Sequence, residues 1–173
     1  MHTNLYVQQR PTSYGASWKN YIPLLVVVAV TLLSAAAKQA AYGGWSWMTW
    51  VQDFMGFLMV VFSTFKLFDL EGYADVFQKY DLLARIFRPY AYLYPFIQLG
   101  LGLGNLSHWQ PTAINAATVV VMVFGSLGVF RARFKGLDLK DACMGTMSHV
   151  PLSAYTLLED VGMALMAAVM LVV

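Results

Sequence analysis

The chain has 173 residues, 59% of them hydrophobic and 12% charged, with a formal net charge of +2. Soluble domains run at roughly 45–50% apolar and about 25% charged, so this composition excludes an ordinary water-soluble domain and points to lipid as the solvent. The small, interrupted positive charge also excludes a nucleic-acid-binding surface, which needs a contiguous basic patch.

Residues 1–20 are polar and read as a cytoplasmic N-terminal segment; residues 21–173 read as a single helical-bundle domain. The first apolar run lacks a small-residue cleavage site, so it reads as a retained span rather than a removed signal. A bilayer core about 30 Å thick takes roughly 17–25 helical residues. On that measure spans are expected near 21–38, 47–66, 89–106, 112–131 and 152–173. The third contains Pro95, which should kink or break it, leaving open whether it crosses or dips and returns. Its Gly100, Gly102 and Gly104 include a Gly-xxx-Gly pair that lets a neighbouring helix approach closely. Pro111 stands at a natural first-turn position for the fourth span. Between the second and third spans, Val76, Tyr80, Leu83 and Phe87 recur at helical spacing, with Gln78, Asp81 and Arg85 opposite. This predicts an amphipathic helix over about 72–88 lying along the membrane surface. The expected fold class is therefore all-α: a polytopic integral membrane helical bundle of four or five transmembrane helices plus one interfacial helix.

If all five segments cross, one face receives Arg10, Lys19, Lys66, Lys79, Arg85, Arg88, Arg131, Arg133, Lys135 and Lys140, and the other only Lys38. Positive charge is retained on the cytoplasmic side, so the N-terminus and the loop around Cys143 are expected inside. Trp45, Trp47, Trp50 and Trp109 then form an outer interfacial belt.

The stretches GYADVFQKYDLLA, YPFIQLGLGL and ACMGTMSHVPLSAYTLLED, in that order, resemble the MauE/DoxX-type redox-associated membrane proteins over about the last two-thirds of the chain. The resemblance implies a small helical bundle in the bacterial inner membrane. It also implies association with methylamine-utilisation gene products, with thiosulfate or quinone oxidation, and in some members with heavy-metal chaperone domains. Such relatives often carry C-A-C-L-G-T where this chain has Asp141 and a single Cys143. A two-thiol exchange or two-thiolate clamp therefore lacks one of its sulfurs here.

Cys143, the only cysteine, stands with Met144, Met147 and His149. Thiolate, thioether and imidazole are donors that suit Cu(I), so Cys143, Met147 and His149 form a candidate metal set. The alternative is a structured loop that caps the fifth span. Glu159 and Asp160 lie roughly 10 Å into that span at 1.5 Å per residue. Ionisable groups inside a membrane are functional-site candidates by default. Glu159 could serve as the proton acceptor of a quinone or proton site, or pair structurally with Lys66 or Arg131. Met163, Met166 and Met170 share its helix face, which should point into protein. Lys38 and Asp53, near the outer ends of the first two spans, are expected to form a salt bridge. Lys66, Asp69, Glu71 and Gln98 are expected as bundle-organising polar contacts or site groups, and His108 receives no role. The sequence leaves the cofactor open, with quinone and copper as the candidates; the lipid bilayer and a protein of a membrane complex or redox system are the expected partners. Functionally, two readings stand side by side. One is a redox-associated protein supporting electron transfer, thiol transfer or cofactor maturation of a partner; the other is a non-catalytic subunit of a larger membrane complex.

Overall fold

The computed structural model describes residues 22–81, 84, 86–134 and 152–172, and the regular structure among them is entirely helical. The helices are α1 (Ile22–Ala41), α2 (Trp47–Phe68), α3 (Leu70–Tyr80), α4 (Arg88–Ser107), α5 (Pro111–Phe134) and α6 (Leu152–Val172). Short connections make α1 and α2, and likewise α4 and α5, antiparallel neighbours. The broadest packing is between α5 and α6 and between α2 and α4, with α1 laid on α2 and α3 on α4.

Among the described residues, three helices are long and apolar enough to cross a bilayer: Ile22–Ala41, Trp47–Phe68 and the Pro111–Gly128 part of α5. Their outward surfaces are apolar, as with Leu25, Val26, Val30 and Leu33 on α1 and Val120, Phe124 and Leu127 on α5. Asp53, Lys66, Gln98, Asn105, Asn115, Glu159 and Asp160 are buried. Apolar groups outside and ionisable groups inside is the arrangement that hydrocarbon solvent imposes, because an unpaired charge facing lipid is costly. The chain is a multi-pass membrane protein. α4 and α6, with 20 and 21 residues, also have the length of a span.

The α2–α4 contact depends on glycine, though not on the expected pair. A Cβ on Gly56 would sit 2.7 Å from Leu106 Cγ and 3.0 Å from the Gly102 carbonyl oxygen, so the two backbones meet at Gly56 and Gly102. Gly104 accommodates Ile114 of α5 instead, and Gly100 has open space beside it. The close approach thus uses one glycine from each helix rather than the Gly-xxx-Gly pair of α4. Pro95 does not end α4, which continues from Arg88 to Ser107 around it. The proline ring removes one backbone bond, and Pro95 is buried among the bundle helices.

The amphipathic helix is present but shorter than expected, and a different face is buried. Asp69 caps α3 by accepting from the Gly72 N–H at 3.0 Å, and Asp81, extended at φ −79° and ψ 135°, ends it. Tyr73, Ala74 and Phe77 turn inward and pack with Ala84, Ala91 and Tyr94, while Val76 is only partly covered and Phe87 is exposed. Asp81, expected on the solvated face, is buried and accepts from the Ala84 N–H at 2.8 Å. The early termination breaks the helical spacing that would have aligned Phe87 with Val76; Leu83 lies outside the described residues.

The α4–α5 connection is tight. His108 and Gln110 both adopt positive φ, 52° and 42°, in a left-handed region uncommon for non-glycine residues. His108 closes α4 by donating its N–H to the Asn105 carbonyl at 3.2 Å. Pro111 then opens α5, where its missing N–H has no helical partner to lose.

Candidate functional site

Three helices bring their polar side chains to one buried centre. Lys66 comes from the last turn of α2, Gln98 from the middle of α4, and Glu159 and Asp160 from the second turn of α6. The Lys66 ammonium donates to Gln98 Oε1 at 2.6 Å and to Glu159 Oε1 at 3.2 Å. The Gln98 side-chain N–H donates to the same Glu159 oxygen, which closes a three-residue ring. The Lys66 and Glu159 side chains are 1% and 3% exposed, so water screens this pair very little. Tyr73 and Tyr94 roof the ammonium, with ring centroids 5.7 and 5.4 Å from Nζ, where their electron-rich faces attract a cation. Phe77 and Tyr90 extend that aromatic layer, the Phe77–Tyr94 centroids being 4.8 Å apart.

Asp160 lies beside this ring but not within it. It is 1% exposed, and its Oδ1 has no hydrogen-bond partner among the described residues. Its Oδ2 rests against α5 at Gly125, where a Cβ would fall 2.9 Å from that oxygen and 2.9 Å from the Tyr94 hydroxyl. A side chain at position 125 would collide with both groups.

A second buried centre closes the opposite end of the bundle, 13 residues and about 20 Å along α2. Lys38 Nζ lies 2.6 Å from Asp53 Oδ1 and donates to the Leu106 carbonyl at 2.9 Å. Gln39 donates to Asp53 Oδ2 at 3.2 Å, and His108 Nε2 stands 2.9 Å from Oδ1. The Asp53 side chain is fully buried. Three elements are tied through one carboxylate: α1, α2 and the cap of α4. Trp45, Trp47 and Trp109 are exposed at this end, and Trp50 stacks on Trp47 with centroids 5.0 Å apart.

The arrangement sorts the residues singled out in the sequence. Lys66, Gln98, Glu159 and Asp160 converge, and the Lys66–Glu159 ion pair is formed. Lys38 and Asp53 pair at the other end. Asp69 and Glu71 join neither centre: both are exposed, one capping α3 and the other in its first turn, where the helix dipole favours an acid. On the Glu159 face, Met163 is fully buried and Met166 partly, while Val161, Leu165 and Val169 face outward. His108 was not anticipated. Its approach to Asp53 depends on the left-handed cap, and its only sequence signal was proximity to Pro111. Cys143, Met144, Met147 and His149 lie outside the described residues. Among the described residues no three His, Cys, Asp or Glu side chains converge as a metal site would require.

No curated protein and no solved structure matches the chain significantly. A family model does: that of methylamine utilisation protein MauE, over residues 45–173. The match takes in α2 to α6, and with them every residue of the Lys66 centre. The chain belongs to the MauE family of membrane proteins.

Proposed function

We propose that this protein is a small bacterial inner-membrane component of the MauE/DoxX type that supports electron transfer, thiol transfer or cofactor maturation of a partner redox protein. In this reading all five long helices cross the bilayer, with the N-terminus and the Cys143 loop on the cytoplasmic side and the Lys38 centre on the outer side. The observation that carries it is the ionic centre of Lys66, Gln98, Glu159 and Asp160, enclosed by three helices in a bundle whose outside is apolar. Intramembrane ionisable groups concentrate where protons, electrons or ions are handled. Cys143 is the group for thiol chemistry, and Cys143, Met147 and His149 are the soft donors that would hold copper. Glu159 supplies the anion that fixes Lys66. Quinone or copper is the cofactor class that such groups serve.

A second reading is favoured by one feature. The Lys66–Gln98–Glu159 ring is closed, each member satisfying another, as a purely structural clamp requires. The protein would then be a non-catalytic subunit of a membrane complex. Purification in mild detergent with its neighbours retained separates the two, by assaying bound quinone, copper and stoichiometric partner chains. Quinone or copper that is lost on Cys143→Ser or Glu159→Gln supports the redox reading. A fixed partner ratio with no cofactor, unchanged by either substitution, supports the structural one.

A further inference from the structure

Among the described residues, the Lys66 centre holds more acid than base. Glu159 and Asp160 are neighbours in sequence and both are buried, yet Lys66 is the one ammonium bonded there among the described residues. Among the described residues, the other charged or titratable groups around Asp160 do not redress the balance. Asp81, at the end of α3, is a third acid acting on it. Tyr73 of α3 and Tyr90 and Tyr94 of α4 are neutral phenols, and α5 contributes the Gly125 backbone. The two neighbouring carboxyls are also treated unequally. Glu159 receives the ammonium and the Gln98 amide. Asp160 receives neither: its Oδ1 has no partner among the described residues, and its Oδ2 is set into the gap left by a missing side chain.

An ionised carboxylate that is buried and unpartnered is among the most expensive states a protein interior can hold, whereas the neutral acid is tolerated. The missing side chain at Gly125 is what leaves room for Oδ2 against α5. Two acids competing for one cation bind a proton between them, and the acid with fewer donors is the one that keeps it.

We propose that Asp160 is the proton-binding group of this membrane bundle, taking up a single proton while Glu159 remains the fixed counterion of Lys66. The inference deepens the reading of the Lys66 centre given above, since a site that supports redox chemistry gains a place to hold the proton that accompanies an electron. It does not depend on a quinone, a metal or a partner being bound.

The test is infrared spectroscopy of the purified protein in detergent or nanodiscs at neutral pH. A protonated carboxyl gives a carbonyl stretch well clear of the amide and carboxylate bands. The expected result is one such band, displaced by 13C labelling of aspartate and unmoved by 13C labelling of glutamate. Asp160→Asn removes it; Lys66→Met, which deprives Glu159 of its cation, adds a second acid band. The labelling arm uses the unmodified chain, so it reads out even if a variant fails to fold. Absence of the band, its displacement by labelled glutamate, or its survival in folded Asp160→Asn overturns the proposal. A positive band with no cofactor or partner retained leaves proton binding standing and removes the redox reading. Retained quinone or copper with no band does the reverse.

Discussion

Removing the Lys66 ammonium is the most informative single perturbation. In Lys66→Met the Glu159 carboxyl, 3% exposed, loses its cation and keeps only the Gln98 amide. Its charge is then left buried without the ammonium that compensated it. Deleting one partner of a buried pair costs roughly 3–5 kcal/mol. At about 2–4 °C per kcal/mol for a chain of this size, the unfolding midpoint should fall by roughly 6–20 °C. The assay is thermal unfolding in detergent followed by helical circular dichroism, with the double variant Lys66→Met/Glu159→Leu alongside. Replacing a whole buried ion pair by apolar residues is often neutral, so the double variant should recover most of the lost stability. A single variant within about 1 kcal/mol of the parent, or a double variant no better than the single one, would refute the view that this pair is desolvated and mutually dependent.

At the other end, Asp53→Asn removes the negative charge that Lys38, Gln39 and His108 surround and turns one of its two acceptor oxygens into a donor. A loss of about 3 kcal/mol is expected by the same denaturation assay, the low end of the buried-pair range because Lys38 is 22% exposed. Gly56→Val should cost about 1–3 kcal/mol by forcing α2 and α4 apart. Gly100→Ala, beside open space, should leave the melting curve unchanged or slightly improve it. If both glycine substitutions behave alike, the assigned backbone contact is wrong. Gly125→Ala should destabilise by a similar amount while displacing the Asp160 carboxyl, detected as a shift of its acid carbonyl band; an unshifted band would place Asp160 elsewhere.

How much of this was legible in the sequence depended on whether the contact was local. The three helices long and apolar enough to cross a bilayer were readable from apolar runs alone, since hydrocarbon thickness fixes their length. The Lys38–Asp53 pair could be foreseen because a short turn joins α1 to α2 and sets the two charges at one level. Lys66 and Glu159 could be matched as opposite charges at the same end of antiparallel spans. Gln98 was noticed, but its role as the bridge between them needed the depth of α4 relative to α2. The register of α3 was misread because one residue, Asp81 in extended conformation, stops the helix before the hydrophobic spacing does. Gly56 carried no signal of its own: its meaning comes from Gly102, which lies far away in sequence and opposite it in space. His108 was missed for a similar reason, as only a left-handed cap swings it onto Asp53.

The account rests on a bundle crossed an odd number of times, with the polar N-terminal segment and the sole cysteine loop on one face. Labelling of Cys143 with a membrane-impermeant maleimide in inside-out and right-side-out vesicles, with an N-terminal tag probed by protease in the same preparations, tests this directly. The account predicts that both groups react from the cytoplasmic face and are protected from the other. Reaction of the thiol from the face opposite the tag would contradict it.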